Sequence, residues 1–171
     1  MKLKLLFLLL AATSLIFSQE KTIAQELAGS LVQIEGKELK PFNDSTLSET
    51  KYFLFYFSAH WCPPCRAFTP ELVNFYRKTK KAHPEFEIVF VSQDRSEADM
   101  KKYMIEAKMP WTAIDFSKIK NASRINAYAG SGIPCVVVVD AKGNVLADSF
   151  KGEQYLGPQK PVDDLKKILK Q

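Results

Sequence analysis

Histidine is nearly absent from this 171-residue chain, with only His60 and His83, and cysteine occurs three times, as Cys62, Cys65 and Cys135. A structural zinc site built on a C-x-x-C needs a second pair of ligands. Only Cys135, His60 and His83 remain as candidates, so neither a metal nor a cofactor is expected. No cysteine precedes Cys62, which excludes a lipid-modified cysteine at a processed N-terminus. Repeats, low-complexity stretches and a second domain are also lacking, and the length suits one domain with a real core. Lysines cluster at Lys78-Lys80-Lys81, Lys101-Lys102 and Lys166-Lys167-Lys170, on expected helix faces, with no interleaved aromatics. Nucleic-acid binding is therefore not expected.

Apolar runs long enough to span a bilayer, about 18–20 residues, are missing too. The nearest approach is the uncharged stretch from Leu5 to Gln19, preceded by Lys2 and Lys4. A basic start followed by a short apolar run describes a secretory signal peptide. The reading assigns residues 1–18 to a signal peptide, 19–29 to a linker or short helix, and 30–171 to one domain. The protein is then periplasmic or secreted; an uncleaved segment anchoring it to the membrane, facing the periplasm, is the alternative. The formal charge is +5 for the whole chain and +3 once Lys2 and Lys4 are removed. A monomer is expected.

What the chain does have is Trp61-Cys62-Pro63-Pro64-Cys65-Arg66, placed after the apolar run Phe53-Leu54-Phe55-Tyr56-Phe57. Downstream, Phe68, Leu72, Val73, Phe75 and Tyr76 recur at helical spacing. The cysteines thus sit where a strand hands over to a helix. Pro63 and Pro64 suit the first turn, where a missing N–H goes unmissed. Cys62 falls at the helix N-terminus, where free N–H groups and the macrodipole favour an anion. Such placement lowers a thiol pKa from about 8.5 toward roughly 3.5–7.5. Arg66 adds positive charge. Cys62 is the expected nucleophile and Cys65, one turn in, the resolving thiol. A purely structural disulfide is the bland alternative. Cys135 is left over; it is either an inert core thiol or a third redox-competent or metal-competent one. His60, two residues before Cys62, could stabilise its thiolate when protonated, or could point away. Asp94 reads as a turn or helix-start residue.

The remaining elements follow in order. Leu31–Ile34 and Glu38–Lys40 flank Gly36-Lys37 as a short hairpin or two edge pieces. Glu87–Ser92 reads as a second buried strand. Ser96 with Asp99 starts a helix over Glu97–Lys108, ended by Met109-Pro110. Trp111–Phe116 is an expected strand and Ser117–Ala129 an expected helix. Cys135–Val139 turns through Asp140–Asn144 into Val145–Ala147, and Pro161–Lys170 closes the chain as a helix. This alternation predicts an α/β fold, a central mixed β-sheet flanked by helices.

Tyr56 to Pro70 (YFSAHWCPPCRAFTP), Phe86 to Asp94 (FEIVFVSQD), Met109 to Phe116 and Gly132-Ile133-Pro134 carry a resemblance. Together they are similar to the tryparedoxin and nucleoredoxin branch of the thioredoxin superfamily, over roughly Leu31 to Asp148. The resemblance implies a thioredoxin-like fold and dithiol–disulfide exchange through Cys62 and Cys65. It also implies a cis-proline at Pro134, whose turn aims the Ile133 backbone at the disulfide, and a site shaped by Trp61, Pro63, Pro64, Ile133, Pro134 and Trp111. His60, Arg66 and Cys135 are candidate modulators. The chain departs from ordinary thioredoxins at Tyr56, where they carry a buried Asp, from tryparedoxins at Gln93 before Asp94, where they usually carry Trp, and from the family pattern at Cys135 after the proline, where the residue is usually apolar or Thr. The expected partners are protein disulfide or dithiol substrates and a separate electron donor. The expected function is an exported thiol–disulfide oxidoreductase, reducing rather than oxidising. A specialised reductant for cytochrome c maturation or for a peroxidase, and a redox-gated binding module, are the alternatives.

Overall fold

The computed structural model describes residues 20–170. The expected signal segment, residues 1–18, lies outside the described residues. Thr22 and Gln25 form a reciprocal capping box that starts helix α1 (Ile23–Leu27), with Ile23 and Leu27 fully buried. The Ile23 N–H donates to the Ala141 carbonyl, and the Arg124 guanidinium donates to the carbonyls of Lys21 and Lys142. The stretch assigned to a linker or short helix is therefore a short helix docked into the core.

Strands β1 (Leu31–Glu35) and β2 (Glu38–Pro41) form the expected hairpin, with Gly36 at φ 65° in the turn. Next come β3 (Tyr52–Ser58), α2 (Pro63–Thr79), β4 (Phe86–Ser92), α3 (Glu97–Glu106) and β5 (Thr112–Ile114). Then follow α4 (Ser123–Asn126), β6 (Cys135–Asp140), β7 (Val145–Asp148), β8 (Phe150–Lys151), β9 (Gln154–Tyr155) and α5 (Gln159–Ile168).

Seven strands form one mixed sheet in the order β2-β1-β5-β4-β3-β6-β7. β3 lies inside it, parallel to β4 (Tyr52↔Phe86 to Ser58↔Ser92) and antiparallel to β6 (Tyr52↔Asp140 to Phe57↔Cys135). That position explains its unbroken apolar run, since a strand covered on both faces has no solvent side to alternate toward. Parallel neighbours need a crossover, and α2 supplies it between β3 and β4.

Side chains alternate across the sheet. Leu54, Tyr56, Ile88, Phe90, Val136 and Val138 face α2, α3 and α5. Phe53, Phe55, Phe57, Val89, Val137 and Val139 face the layer that includes Ile23, Leu27 and Ile125. The expected α/β fold with helices on both faces of a mixed sheet is what the chain adopts.

Two local expectations are corrected. The helix expected over Ser117–Ala129 is split into a 3-10 turn, Phe116–Asn121, and the single turn of α4, broken at Ala122 (ψ 56°). Asp115 takes both the N–H and the hydroxyl of Ser117, and the Asn126 side-chain amide donates to the Ile119 carbonyl. Those local bonds satisfy backbone groups that a continuous helix would otherwise use. The small sheet of β8 and β9, separate from the main one, has no counterpart in the sequence reading.

Candidate active site

Cys62 is the N-cap of α2, and Pro63 and Pro64 occupy the first two helical positions. Cys62 and Cys65 are joined in a disulfide, with Cα atoms 5.2 Å apart. The Cys65 N–H donates to Cys62 Sγ at 3.3 Å, so one of the free amides of the first turn is aimed at the sulfur. Cys65 is fully buried and Cys62 nearly so. The Ile133–Pro134 peptide is cis, and the Ile133 carbonyl oxygen lies 3.8 Å from Cys62 Sγ. Ile133 also packs on the small cluster of Ala59, Cys62 and Cys65. Cys62, Cys65, Pro63, Pro64, Ile133 and Pro134 are thus brought together as expected.

The segment before Cys62 is tied down at four points. The His60 N–H donates to Asp94 Oδ1 at 2.8 Å, and Asp94 Oδ2 accepts the Ser92 hydroxyl at 2.8 Å. Arg66 donates to the His60 carbonyl at 2.5 Å. The His60 ring pairs with Glu106 at 2.9 Å. The Trp61 indole N–H donates to the Gln93 carbonyl at 3.1 Å. Trp61 therefore stands fixed beside the disulfide while 53% exposed. His60 turns to Glu106 and not to the sulfur, so its role is to hold the loop.

Asp94 does more than start a helix. Burial raises its carboxyl above the ordinary range, against the lowering effect of the Ser92 and His60 hydrogen bonds. A carboxyl raised in the folded state binds its proton more tightly there than in the unfolded chain. Its contribution to stability is then fully present below the unfolded value, about 4, and is lost as pH rises through the folded value. Asp94→Asn keeps an oxygen for His60 and removes the charge. The expected result is a variant more stable than the parent at pH 7, with the gap closing toward pH 4. Urea midpoints across that range measure it.

Beneath Cys65 lies a closed ring of four buried hydroxyls. Ser58 donates to Tyr56 (2.9 Å), Tyr56 meets Thr69 (2.9 Å), Thr69 meets Tyr103 (2.5 Å) and Tyr103 meets Ser58 (3.1 Å). Thr69 and Tyr56 also reach the Cys65 carbonyl, at 2.8 and 3.3 Å. Ser58 donates to Tyr56 and Thr69 to the Cys65 carbonyl, and the Tyr56 and Tyr103 hydroxyls supply the remaining protons, so none of the four is left without a partner. Burial, then the neighbouring Tyr103, raises the Tyr56 phenol well above its ordinary value, so it stays neutral. The position where thioredoxins carry an acid holds a hydrogen-bonding group with no charge. Of the ring, sequence reasoning singled out only Tyr56; Ser58 and Tyr103, which close it, lie 45 residues apart along the chain.

Two residues stand apart from the disulfide. Trp111 is 2% exposed and packs edge-on against Tyr76, near the far end of α2, at 5.6 Å between centroids. It belongs to the core and not to the rim of the site; the chain leaving Pro110 enters β5 with this side chain turned inward. Its indole N–H finds no acceptor among the described residues. Cys135 opens β6 opposite Phe57, is fully buried, and has its thiol pushed up to about 11 by burial. This is the core thiol of the bland reading. With the pair reduced at pH 8, alkylation is expected to label Cys62 within minutes and leave Cys135 unmodified until denaturant is added. Peptide mass mapping reads both.

A thiol pair at the N-cap of a helix, fed by an inner strand and faced by a cis-proline loop, has one recurrent chemistry. The geometry is that of a thioredoxin-like fold carrying a cysteine pair close enough to form a disulfide. A family model described as Thioredoxin-like matches residues 49–145. Nucleoredoxin of Mus musculus is 44% identical over 127 residues, 74% of this chain and 28% of its own length. The chain thus spans under a third of that relative. Among solved structures, thioredoxin of Wuchereria bancrofti superposes with a TM-score of 0.62 at 35% identity, covering 84% of this chain and 96% of its own. Tryparedoxin I of Leishmania major gives 0.59 at 35% identity, covering 74% and 85%. The chain belongs to the Thioredoxin-like family, in its tryparedoxin and nucleoredoxin branch.

Proposed function

We propose that the protein is an exported reductant of protein disulfides. The observation that carries the reading is Cys62 at the N-cap of α2, with the Cys65 N–H on its sulfur. In the reduced protein the same amide and the helix dipole favour a thiolate at Cys62. That thiolate attacks one sulfur of a substrate disulfide, which breaks the substrate S–S bond. A Cys62–substrate disulfide forms and the other substrate sulfur leaves as a thiolate. Cys65 loses its proton and attacks Cys62 Sγ, forming the Cys62–Cys65 disulfide and releasing the second substrate thiolate. Two electrons pass from the pair to the substrate. A separate dithiol donor restores the pair.

The reducing direction is supported by what surrounds the sulfur. His60, the residue whose cation would most favour the thiolate, is engaged with Glu106. No acidic residue lies in the motif itself. Export is supported by the basic and apolar character of residues 1–18.

The test joins the reduction potential, by equilibration with glutathione, to insulin-disulfide turnover with dithiothreitol as donor. A potential near the thioredoxin end of the scale, roughly −270 mV, with turnover sustains the reading. A potential near roughly −120 mV makes the protein an oxidant. Partner binding that follows the oxidation state without turnover would make it a redox-gated module. N-terminal sequencing of the protein from intact cells tests export: a start near residue 19 in the soluble exported fraction supports it. An intact N-terminus in the membrane fraction would favour the anchored form.

A further inference from the structure

The disulfide and the N-terminal segment sit at opposite ends of the domain. The chain passes to Cys62 from Ser58, the last residue of β3, whereas the first, Tyr52, lies level with Phe86 and Asp140. α2 starts at the disulfide and runs away from it for 17 residues, a length of about 25 Å. α5 runs the same way. It starts shortly after Tyr155, whose hydroxyl donates to the Pro134 carbonyl at 2.7 Å, and its Lys166 ammonium lies over the Phe75 ring of α2. At the far end the Ile23 N–H meets the Ala141 carbonyl, and Arg124 holds the carbonyls of Lys21 and Lys142. The sequence before residue 20, with Lys2, Lys4 and the apolar run from Leu5 to Gln19, therefore joins the domain at the end remote from the disulfide.

That far end is rich in uncommitted lysine. Lys21, Lys51, Lys78, Lys81, Lys142 and Lys170 are exposed, and none is ion-paired among the described residues. Nearby carboxylates are already engaged: Glu85 with His83, Glu87 with Lys80, and Asp140 with N–H groups of its own turn. Lys78, Lys81 and Lys170 suit helix C-termini, where a cation complements the dipole. Lys21, Lys51 and Lys142 lie on no helix, so that account leaves half of the cluster unexplained.

We propose that this lysine-rich end seats the protein on an anionic phospholipid surface, with the disulfide facing away from the lipid. Clusters of about four to eight basic residues beside an apolar segment bind such surfaces. The occupant is fixed by continuity, because the basic and apolar sequence of residues 1–19 joins the domain where the six lysines gather. A substrate then reaches Cys62 from the aqueous side. The proposal rests on the fold, and on the export reading only for which face of the membrane is met.

The test is sedimentation with vesicles of phosphatidylglycerol and phosphatidylcholine, against vesicles of phosphatidylcholine alone. Every variant is used in the form in which cells deliver it, so residues 1–19 contribute alike throughout. The parent is expected to prefer the anionic vesicles at least about tenfold at low ionic strength, and to lose the preference at about 0.5 M salt. Lys51→Gln with Lys81→Gln lowers anionic binding about twenty-fivefold and leaves neutral binding unchanged. The same loss of charge near the disulfide, Arg95→Gln with Lys151→Gln, lowers it no more than about threefold. Equal losses in the two double variants overturn the seat. So does equal affinity for duplex DNA at the same ionic strength, which would make the lysines a general polyanion patch. With the pair reduced, Cys62 is expected to be alkylated as fast on anionic vesicles as in solution; strong protection on binding would reverse the orientation and overturn the proposal. Insulin-disulfide turnover of the Lys51, Lys81 variant is expected to match the parent. Absence of turnover in every form, with the vesicle results as expected, would sink the exchange reading and leave the seat standing.

Discussion

Serine in place of Cys62 is expected to abolish disulfide turnover, whereas serine in place of Cys65 stalls the reaction half-way. The asymmetry follows from position. Cys62 Sγ sits at the helix N-cap and receives an amide from the first turn, while Cys65 is fully buried behind it. A serine hydroxyl at position 62 does not ionise near neutral pH, so no mixed disulfide forms and turnover falls to the uncatalysed background. With Cys65→Ser the first attack proceeds and nothing displaces the substrate from Cys62. Incubation with a protein disulfide is then expected to give one covalent substrate per chain, seen by intact mass and released by dithiothreitol. Adduct formation by Cys62→Ser through Cys65, at the rate of the converse variant, would reverse the two roles.

Tyr103 carries the largest expected effect on stability. It is 2% exposed, meets Phe90 edge-on at 5.8 Å, closes the hydroxyl ring and packs against the His60 ring at 5.7 Å. Removing a buried aromatic to alanine costs about 3–5 kcal/mol. Tyr103→Phe keeps the ring and deletes one hydroxyl, which leaves Ser58 and Thr69 each short of a buried partner, at about 1–3 kcal/mol. For a domain of this size each kcal/mol moves the melting temperature by about 2–4 °C. Calorimetry on the two variants separates packing from hydrogen bonding. A Tyr103→Phe protein as stable as the parent would mean that the ring contributes nothing beyond occupying space.

The sequence was most legible where structure is local. Strand, W-C-P-P-C and helix lie within a single stretch, and each residue there announces its job: prolines for the first turn, a small N-cap side chain, an apolar stripe. β4 and β6 were legible because buried inner strands read as unbroken apolar runs. The cis-proline was not legible from spacing, since only about 5–6% of X–Pro bonds are cis; it came through resemblance.

What failed to show was non-local. The hydroxyl ring joins positions 56, 58, 69 and 103; the serine and threonine among them read as neutral polar filler, and the tyrosines as core aromatics. The bond from Tyr155 to Pro134 spans 21 residues, and two-residue strands carry no period to detect. Trp111 was placed at the rim because the resemblance put it there, but its side chain turns inward at the entry to β5. The tie between His60 and Asp94 spans 34 residues and is made by a backbone N–H, which no side-chain pattern can reveal.

The two tryptophans of the chain, Trp61 and Trp111, report on different places. The first is held by the Gln93 carbonyl beside the disulfide and faces solvent. The second is sealed against Tyr76. A disulfide is a better electron acceptor from an excited indole than a pair of thiols. Emission from Trp61 is therefore expected to rise when the pair is reduced, at the long wavelength of a hydrated ring, over a short-wavelength background from Trp111. The molecule carries its own optical gauge of redox state, one that needs no attached dye and reads the state of the pair while substrate is turning over.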